Sequence, residues 1–218
     1  MRDNKPIAIA AGVVILGAWL ALGFQLSGGF GPRLNTAAVR EAGRVLADQA
    51  VARLKPGGTI TVVTRDTASF ENPASEILLT SFRAELLKKG TKLDELKALQ
   101  IDPLRPSAVP AGDFFVWIKN APPESVIVSF MGPPILTEAQ LAQLGAVKPA
   151  LVAFCSGSVR DQVDLRGLFS QGLLQAAVVS RRPIMHQARP PATDREAFTQ
   201  QYVEVTSSDL SSLSPASK

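Results

Sequence analysis

The residues able to do chemistry are few and scattered. Among 218 residues there is one histidine, His186, and one cysteine, Cys155. A lone histidine cannot build a histidine-rich metal site, and a lone cysteine supports neither an internal disulfide nor a multi-cysteine zinc site. The shortage of imidazole also weakens acid–base and triad catalysis, leaving Asp, Glu, Lys and Tyr as the remaining proton carriers. No GxSxG, GxxxxGK[ST] or GxGxxG occurs, so a nucleophile elbow and the glycine-rich phosphate loops have no support. The sequence points to no catalytic residue, no metal ligand and no cofactor.

What remains is a set of polar side chains placed where apolar runs stop. Arg65 and Asp66 follow TITVVT, Ser156 and Ser158 flank Gly157 after ALVAFC, and Arg181 with Arg182 follows LLQAAVVS. Each has two readings. Arg65 and Asp66 can hydrogen-bond a polar ligand, or form a solvated pair worth little. Ser156-Gly157-Ser158 can turn backbone amides toward an anion or a sugar hydroxyl, or supply the self-capping turn that any strand end needs. Arg181-Arg182 can meet an anion or an acidic partner, or end a strand in water. Cys155 becomes a nucleophile only if its pKa is lowered. With Phe154 beside it and no histidine partner evident, a buried structural thiol is expected.

These positions need elements to hold them. Ala42, Leu46, Ala50 and Leu54 recur at i+4 and predict a helix from Thr36 to about Leu54, capped by Asn35. Thr59–Thr64 reads as a strand. Asn72-Pro73 starts a helix that Gly90 stops. Within 91–101 a short strand is expected although LDELKAL carries a helical period. Gly112–Lys119 predicts a helix whose Phe114, Phe115, Trp117 and Ile118 cover most of its circumference, as core or as a contact with another subunit. Ser125–Phe130 and Ala150–Cys155 are strands, and Thr137 to Gln140 is a capping box. A short helix from Asp164 to Gln171 and a strand from Leu173 to Ser180 complete the series. Strands apolar on both faces and separated by helices predict an α/β fold: a doubly wound, mainly parallel sheet of about five strands. In such a sheet ligands bind beyond the carboxyl ends of the strands, near the topological switch point.

The chain divides by composition. Residues 6–26, PIAIAAGVVILGAWLALGFQL, carry no charge and reach roughly 30 Å as a helix, the thickness of a bilayer core. They are expected to be an uncleaved transmembrane anchor behind a cytoplasmic stub of residues 1–5. A cleaved signal and a secreted protein is the alternative, although the residues before any cut are poorly suited. Residues 27–34 form a glycine-rich linker, 35–182 the α/β domain, and 183–218 a Pro/Ser/Thr-rich tail expected to be largely extended or disordered, with TQQYVEVTS able to add one edge strand. The domain is therefore expected outside the cytoplasm, held at the cell membrane by a single pass. The net charge of +4 is spread rather than striped, which argues against nucleic acid as a partner. The partners implied are the lipid bilayer, a small polar ligand, and a membrane protein or a second copy.

The stretch TITVVTRDTASFENPASEILLTSFRAELLKKG is similar to the opening βα unit of type I periplasmic-binding-protein-like domains, and SVIVSFMGPP and ALVAFCSGSV resemble later strands of that family. The resemblance covers roughly Thr59 to Ser180. It implies ligand contacts from the loop after the first strand, here Arg65, Asp66 and Phe70. It also implies a receptor of two lobes, whereas this chain has length for one. Three functions stay open: a non-enzymatic, membrane-anchored binding or interaction module; an enzyme on a flavodoxin-like or Rossmann-like sheet, such as a hydrolase using Asp66 or a serine; and a structural subunit whose anchor is the working part.

Overall fold

Short runs of Val, Ile, Ala and Phe form the strands because branched and apolar side chains suit a pleated surface buried on both sides. The computed structural model describes residues 34–66, 72–100, 111–157, 159–181 and 190–212. The expected anchor at 6–26 lies outside them, with the stub, most of the linker, Phe70, Ser158, Arg182 and His186. Among the described residues no helix is long and apolar enough to cross a membrane.

The elements run α1 (Thr36–Val51), β1 (Ile60–Arg65), α2 (Pro73–Lys88), β2 (Glu95–Leu99), α3 (Ala111–Asn120), β3 (Val126–Ser129), α4 (Glu138–Leu144), β4 (Ala150–Cys155), α5 (Val159–Gln162), α6 (Leu165–Ser170), β5 (Ala176–Ser180), α7 (Asp194–Gln201) and β6 (Tyr202–Thr206), followed by a 3-10 turn at Ser207–Ser212. They build one six-stranded sheet in the order β2-β1-β3-β4-β5-β6. The first five strands are mutually parallel, and β6 runs antiparallel to β5 with Ala177 opposite Val205. Chain order reverses at β1, which pairs with β2 on one side and β3 on the other. That places the switch point at the carboxyl ends of β1 and β3.

Helices cover both faces. Val62, Val128, Phe130, Val152, Phe154 and Val178 point to the face held by α1, α2 and α7, packing on Leu46, Phe82, Leu86 and Phe198. Val63, Ile127, Leu151, Ala153, Cys155 and Val179 point the other way, onto Phe114 and Ile118 of α3, Leu144 of α4 and Phe169 of α6. The alternation along each strand is the period of two that a pleated backbone imposes. Helices α1 and α2 approach closely at Gly43, where a Cβ would lie 2.6 Å from the Leu78 carbonyl oxygen. Only glycine permits that spacing.

Residues 190–212 hold a helix, a strand and a 3-10 turn in place of the largely extended or disordered tail expected for them. Helix α7 is capped by Thr193, whose hydroxyl accepts the Glu196 amide at 3.1 Å. Ala197, Phe198, Tyr202 and Val205 are all buried. The sheet accordingly has six strands rather than about five, the sixth being the edge strand foreseen in TQQYVEVTS. Asp194 at the start of α7 accepts from Arg40 at 3.0 Å and Arg44 at 3.1 Å, tying α7 to α1. Both arginines are more than a third exposed, so these pairs orient more than they stabilise.

Candidate functional site

The strand ends at the switch point open into a cleft of ≈ 260 Å³ lined by Arg65, Asn72, Ala74, Ser75, Leu78, Phe130, Met131, Phe154, Ser156, Gly157 and Val159. Each wall follows from a local rule. Arg65 ends β1, where the ladder to β2 stops after the Asp66 amide donates to the Leu99 carbonyl at 2.8 Å. The half-buried Arg65 guanidinium has no hydrogen-bond or ion-pair partner among the described residues. Opposite stands the first turn of α2. Asn72 caps it, accepting the Ser75 amide at 3.3 Å, and Pro73 fills the first helical position. Ala74 belongs to that turn, whose amides have no intrahelical acceptor and carry the positive end of the helix dipole.

The aromatic walls are braced from behind. Phe130 meets Phe82 edge-on, with ring centroids 5.6 Å apart, and Phe154 lies 5.3 Å from Tyr202. Both cleft phenylalanines are nearly buried, so they form a stiff floor rather than mobile flaps. The turn after β3 is set by Ser129, which is fully buried. Its hydroxyl donates to the Gly132 carbonyl and accepts the Met131 amide at 3.3 Å. Gly132 takes φ +87°, and a Cβ there would lie 2.4 Å from Val159 Cγ1. The glycine and serine after these strands thus fold the turns back on themselves and bring Met131 and Val159 to the cleft.

The predicted residues separate. Arg65 and Ser156 line the same cleft. Asp66 is adjacent but does not line it. The Gly157 amide is occupied by the Ser180 hydroxyl at 3.2 Å, and the Val159 amide reaches the Ser156 carbonyl at 3.3 Å. The segment therefore works as a self-capping turn and leaves the Gly157 amide no anion to meet. Arg181 is elsewhere: its Nε donates to the Tyr202 carbonyl at 3.0 Å and its amide to the Gln201 carbonyl at 2.7 Å, clamping β5 to β6. Phe70 and Ser158 lie outside the described residues. Cys155 is fully buried on the face opposite α1, and burial pushes its thiol pKa up to about 12. That is the reverse of an activated nucleophile. Among the described residues the cleft lining holds no carboxylate, imidazole or thiol.

Sequence reading missed Asn72, Ala74, Ser75, Phe130 and Phe154 as cleft residues. The Asn72-Pro73 start was visible, but only the strand order shows that this helix begins over the switch point. The two phenylalanines needed the alternation of each strand to be assigned to a face.

No protein-family model matches the chain, and no curated protein matches it. Among solved structures it is similar to a carbohydrate transporter solute binding protein from Agrobacterium radiobacter in complex with D-arabinose, at 15% identity and a TM-score of 0.50 over 79% of this chain and 60% of that one. It is also similar to a candidate LacI transcriptional regulator from Bacteroides fragilis, at 10% identity and a TM-score of 0.50 over 81% of this chain and 62% of that one. At these identities the likeness shows the fold alone: an α/β domain with the mainly parallel sheet of a type I periplasmic-binding-protein-like lobe. The chain spans about three-fifths of the length of the structures it matches.

Proposed function

We propose that the chain is a non-enzymatic binding module, held at the membrane by residues 6–26 with its α/β domain outside the cytoplasm, which takes a small polar ligand at the carboxyl ends of β1, β3 and β4. The cleft carries this reading. It joins Arg65, a cation with no partner among the described residues, with the polar side chains of Ser75, Ser156 and Asn72, over the apolar surfaces of Leu78, Phe130, Met131 and Phe154. A few convergent polar groups on an apolar floor are what a small-molecule site needs. At ≈ 260 Å³ the cleft falls below the roughly 300–1,000 Å³ typical of pockets for drug-sized ligands. A monosaccharide-sized polyol suits it: hydroxyls to Arg65, Asn72 and the serines, and a C–H face to a phenylalanine. That a similar structure holds D-arabinose agrees with this choice. The charge-free run 6–26 supports the anchor.

The test is isothermal titration of the full chain in detergent with neutral pentoses and hexoses, repeated on Arg65→Ala. Micromolar-to-millimolar binding of at least one sugar, weakened by about tenfold or more in the variant with the melting temperature unchanged, is expected. Heat-silent titrations with every sugar, or binding indifferent to Arg65, would overturn the ligand reading. Recovery of the chain from the soluble fraction of lysed cells would overturn the anchor.

A further inference from the structure

We infer that the outer edge of β2 is a self-recognition surface, on which a second copy of this chain adds its own β2 in antiparallel register about a two-fold axis through Leu96. Among the described residues the surface is open: there β2 pairs with β1 alone, and no strand covers its other side. Leu96 is 39% exposed. An unpaired edge with exposed apolar side chains is a template for strand addition.

The main-chain groups available follow from the ladders already formed. The Val126 amide donates to the Thr59 carbonyl and the Phe130 amide to the Val63 carbonyl, both at 2.9 Å, so the odd-numbered residues of β1 serve β3. The even-numbered ones serve β2, as the Asp66 amide on the Leu99 carbonyl shows. Alternation along β2 then turns Glu95, Lys97 and Leu99 inward to β1, and leaves the amides and carbonyls of Leu96 and Ala98 facing out. A two-fold axis through Leu96 makes Leu96 and its copy a hydrogen-bonded pair. Its flanking pairs are Glu95 with the copy's Lys97 and Lys97 with the copy's Glu95, in the non-hydrogen-bonded positions where side chains come closest.

Charge selects this register. An axis through Lys97 sets lysine against lysine, and one through Glu95 sets glutamate against glutamate. Only the Leu96 axis is complementary, and it is so twice, as an isologous contact requires. The same two side chains pair within one copy at 2.6 Å, with Lys97 Nζ also 5.2 Å above the Trp117 ring. They therefore already lie on one face of the edge, the α3 face, and need only exchange partners. This contact is separate from the cleft and stands whether or not a sugar binds.

Cysteine crosslinking of the full chain in its membrane tests the register. The copies' Cα atoms at position 96 would lie about 5.5 Å apart, within disulfide reach. Those at 95, or at 97, would lie about 8 Å from their own copies, beyond it. Leu96→Cys is therefore expected to give a nonreducing band at twice the chain mass under mild oxidation, with Glu95→Cys and Lys97→Cys each giving at least about tenfold less. Cys155, being buried, leaves the parent chain silent. In light scattering of the detergent-solubilised chain, Glu95→Lys or Lys97→Glu alone should weaken the dimer by about tenfold, and the double reversal should restore it. Equal crosslinking at 95, 96 and 97, an absent crosslink at 96, or reversals that leave the mass unchanged would each overturn the interface.

Discussion

Replacing Gly132 with alanine tests how the cleft wall is built. The residue sits at φ +87° with its missing Cβ 2.4 Å from Val159 Cγ1. Two separable costs follow. The backbone conformation costs an L-residue about 1–2 kcal/mol, and forcing a methyl into occupied space costs about 1–3 kcal/mol more. The sum, about 2–5 kcal/mol, corresponds to a melting temperature lower by roughly 4–20 °C for a domain of this size. The turn cannot swing away cheaply, because the buried Ser129 hydroxyl holds both the Met131 amide and the Gly132 carbonyl. Urea unfolding of the parent, Gly132→Ala, Val159→Ala and the double variant completes a cycle. Val159→Ala in the Gly132→Ala background should recover the steric share and leave the conformational share, a coupling of about 1–3 kcal/mol. A Gly132→Ala variant within 0.5 kcal/mol of the parent, or a cycle without coupling, would refute the description of this turn.

Three further outcomes follow. Cys155 should resist alkylation at pH 8 in the folded chain and react fully only in denaturant, because its thiol is buried with a pKa of about 12; rapid native labelling would contradict that. A raised thiol pKa stabilises the fold fully below the unfolded value near pH 9 and loses that contribution as pH rises toward 12, and burial raises Tyr202 in the same direction. Stability should therefore fall above pH 9 with a shallower slope in Cys155→Ala, and equal slopes would sink the assignment. Thr193→Ala should cost about 1 kcal/mol by uncapping α7, measured by denaturant unfolding; a neutral result would mean that α7 does not contribute as a packed element.

The sheet was legible because its code is local. VIV of β3 and ALVAFC of β4 are apolar at every position, as strands covered on both faces must be. The helix starts at Asn72-Pro73 and Thr137-Glu138-Ala139-Gln140 carry their caps in the sequence, and the structure has both. The short β2, with Leu96 and Lys97 alternating, was legible through the need for a strand between two helices more than through its own pattern. The helix α7 that precedes the foreseen edge strand was hidden because Pro190-Pro191 and the serine-rich stretch dominate the composition there. Yet Thr193 and Glu196 have capping-box spacing, and the burial of Phe198 and Tyr202 decides that the segment packs. The site was half legible. Arg65 and Ser156 share a cleft because both stand at strand ends near the switch point. Arg181 stands at a strand end too, but an antiparallel neighbour claims it, and pairing of that kind is invisible until the sheet is assembled. The cleft aromatics depend on the same assembly.

Amide shift mapping of the isotope-labelled full chain in detergent, titrated with whichever neutral monosaccharide binds most tightly, tests the central claim most directly. Saturable shifts are expected, concentrated at Arg65, Ala74, Ser75, Met131, Ser156 and Gly157, with the amides of α3 and β6 unmoved. Shifts clustered away from the ends of β1, β3 and β4, or none at millimolar sugar, would contradict it.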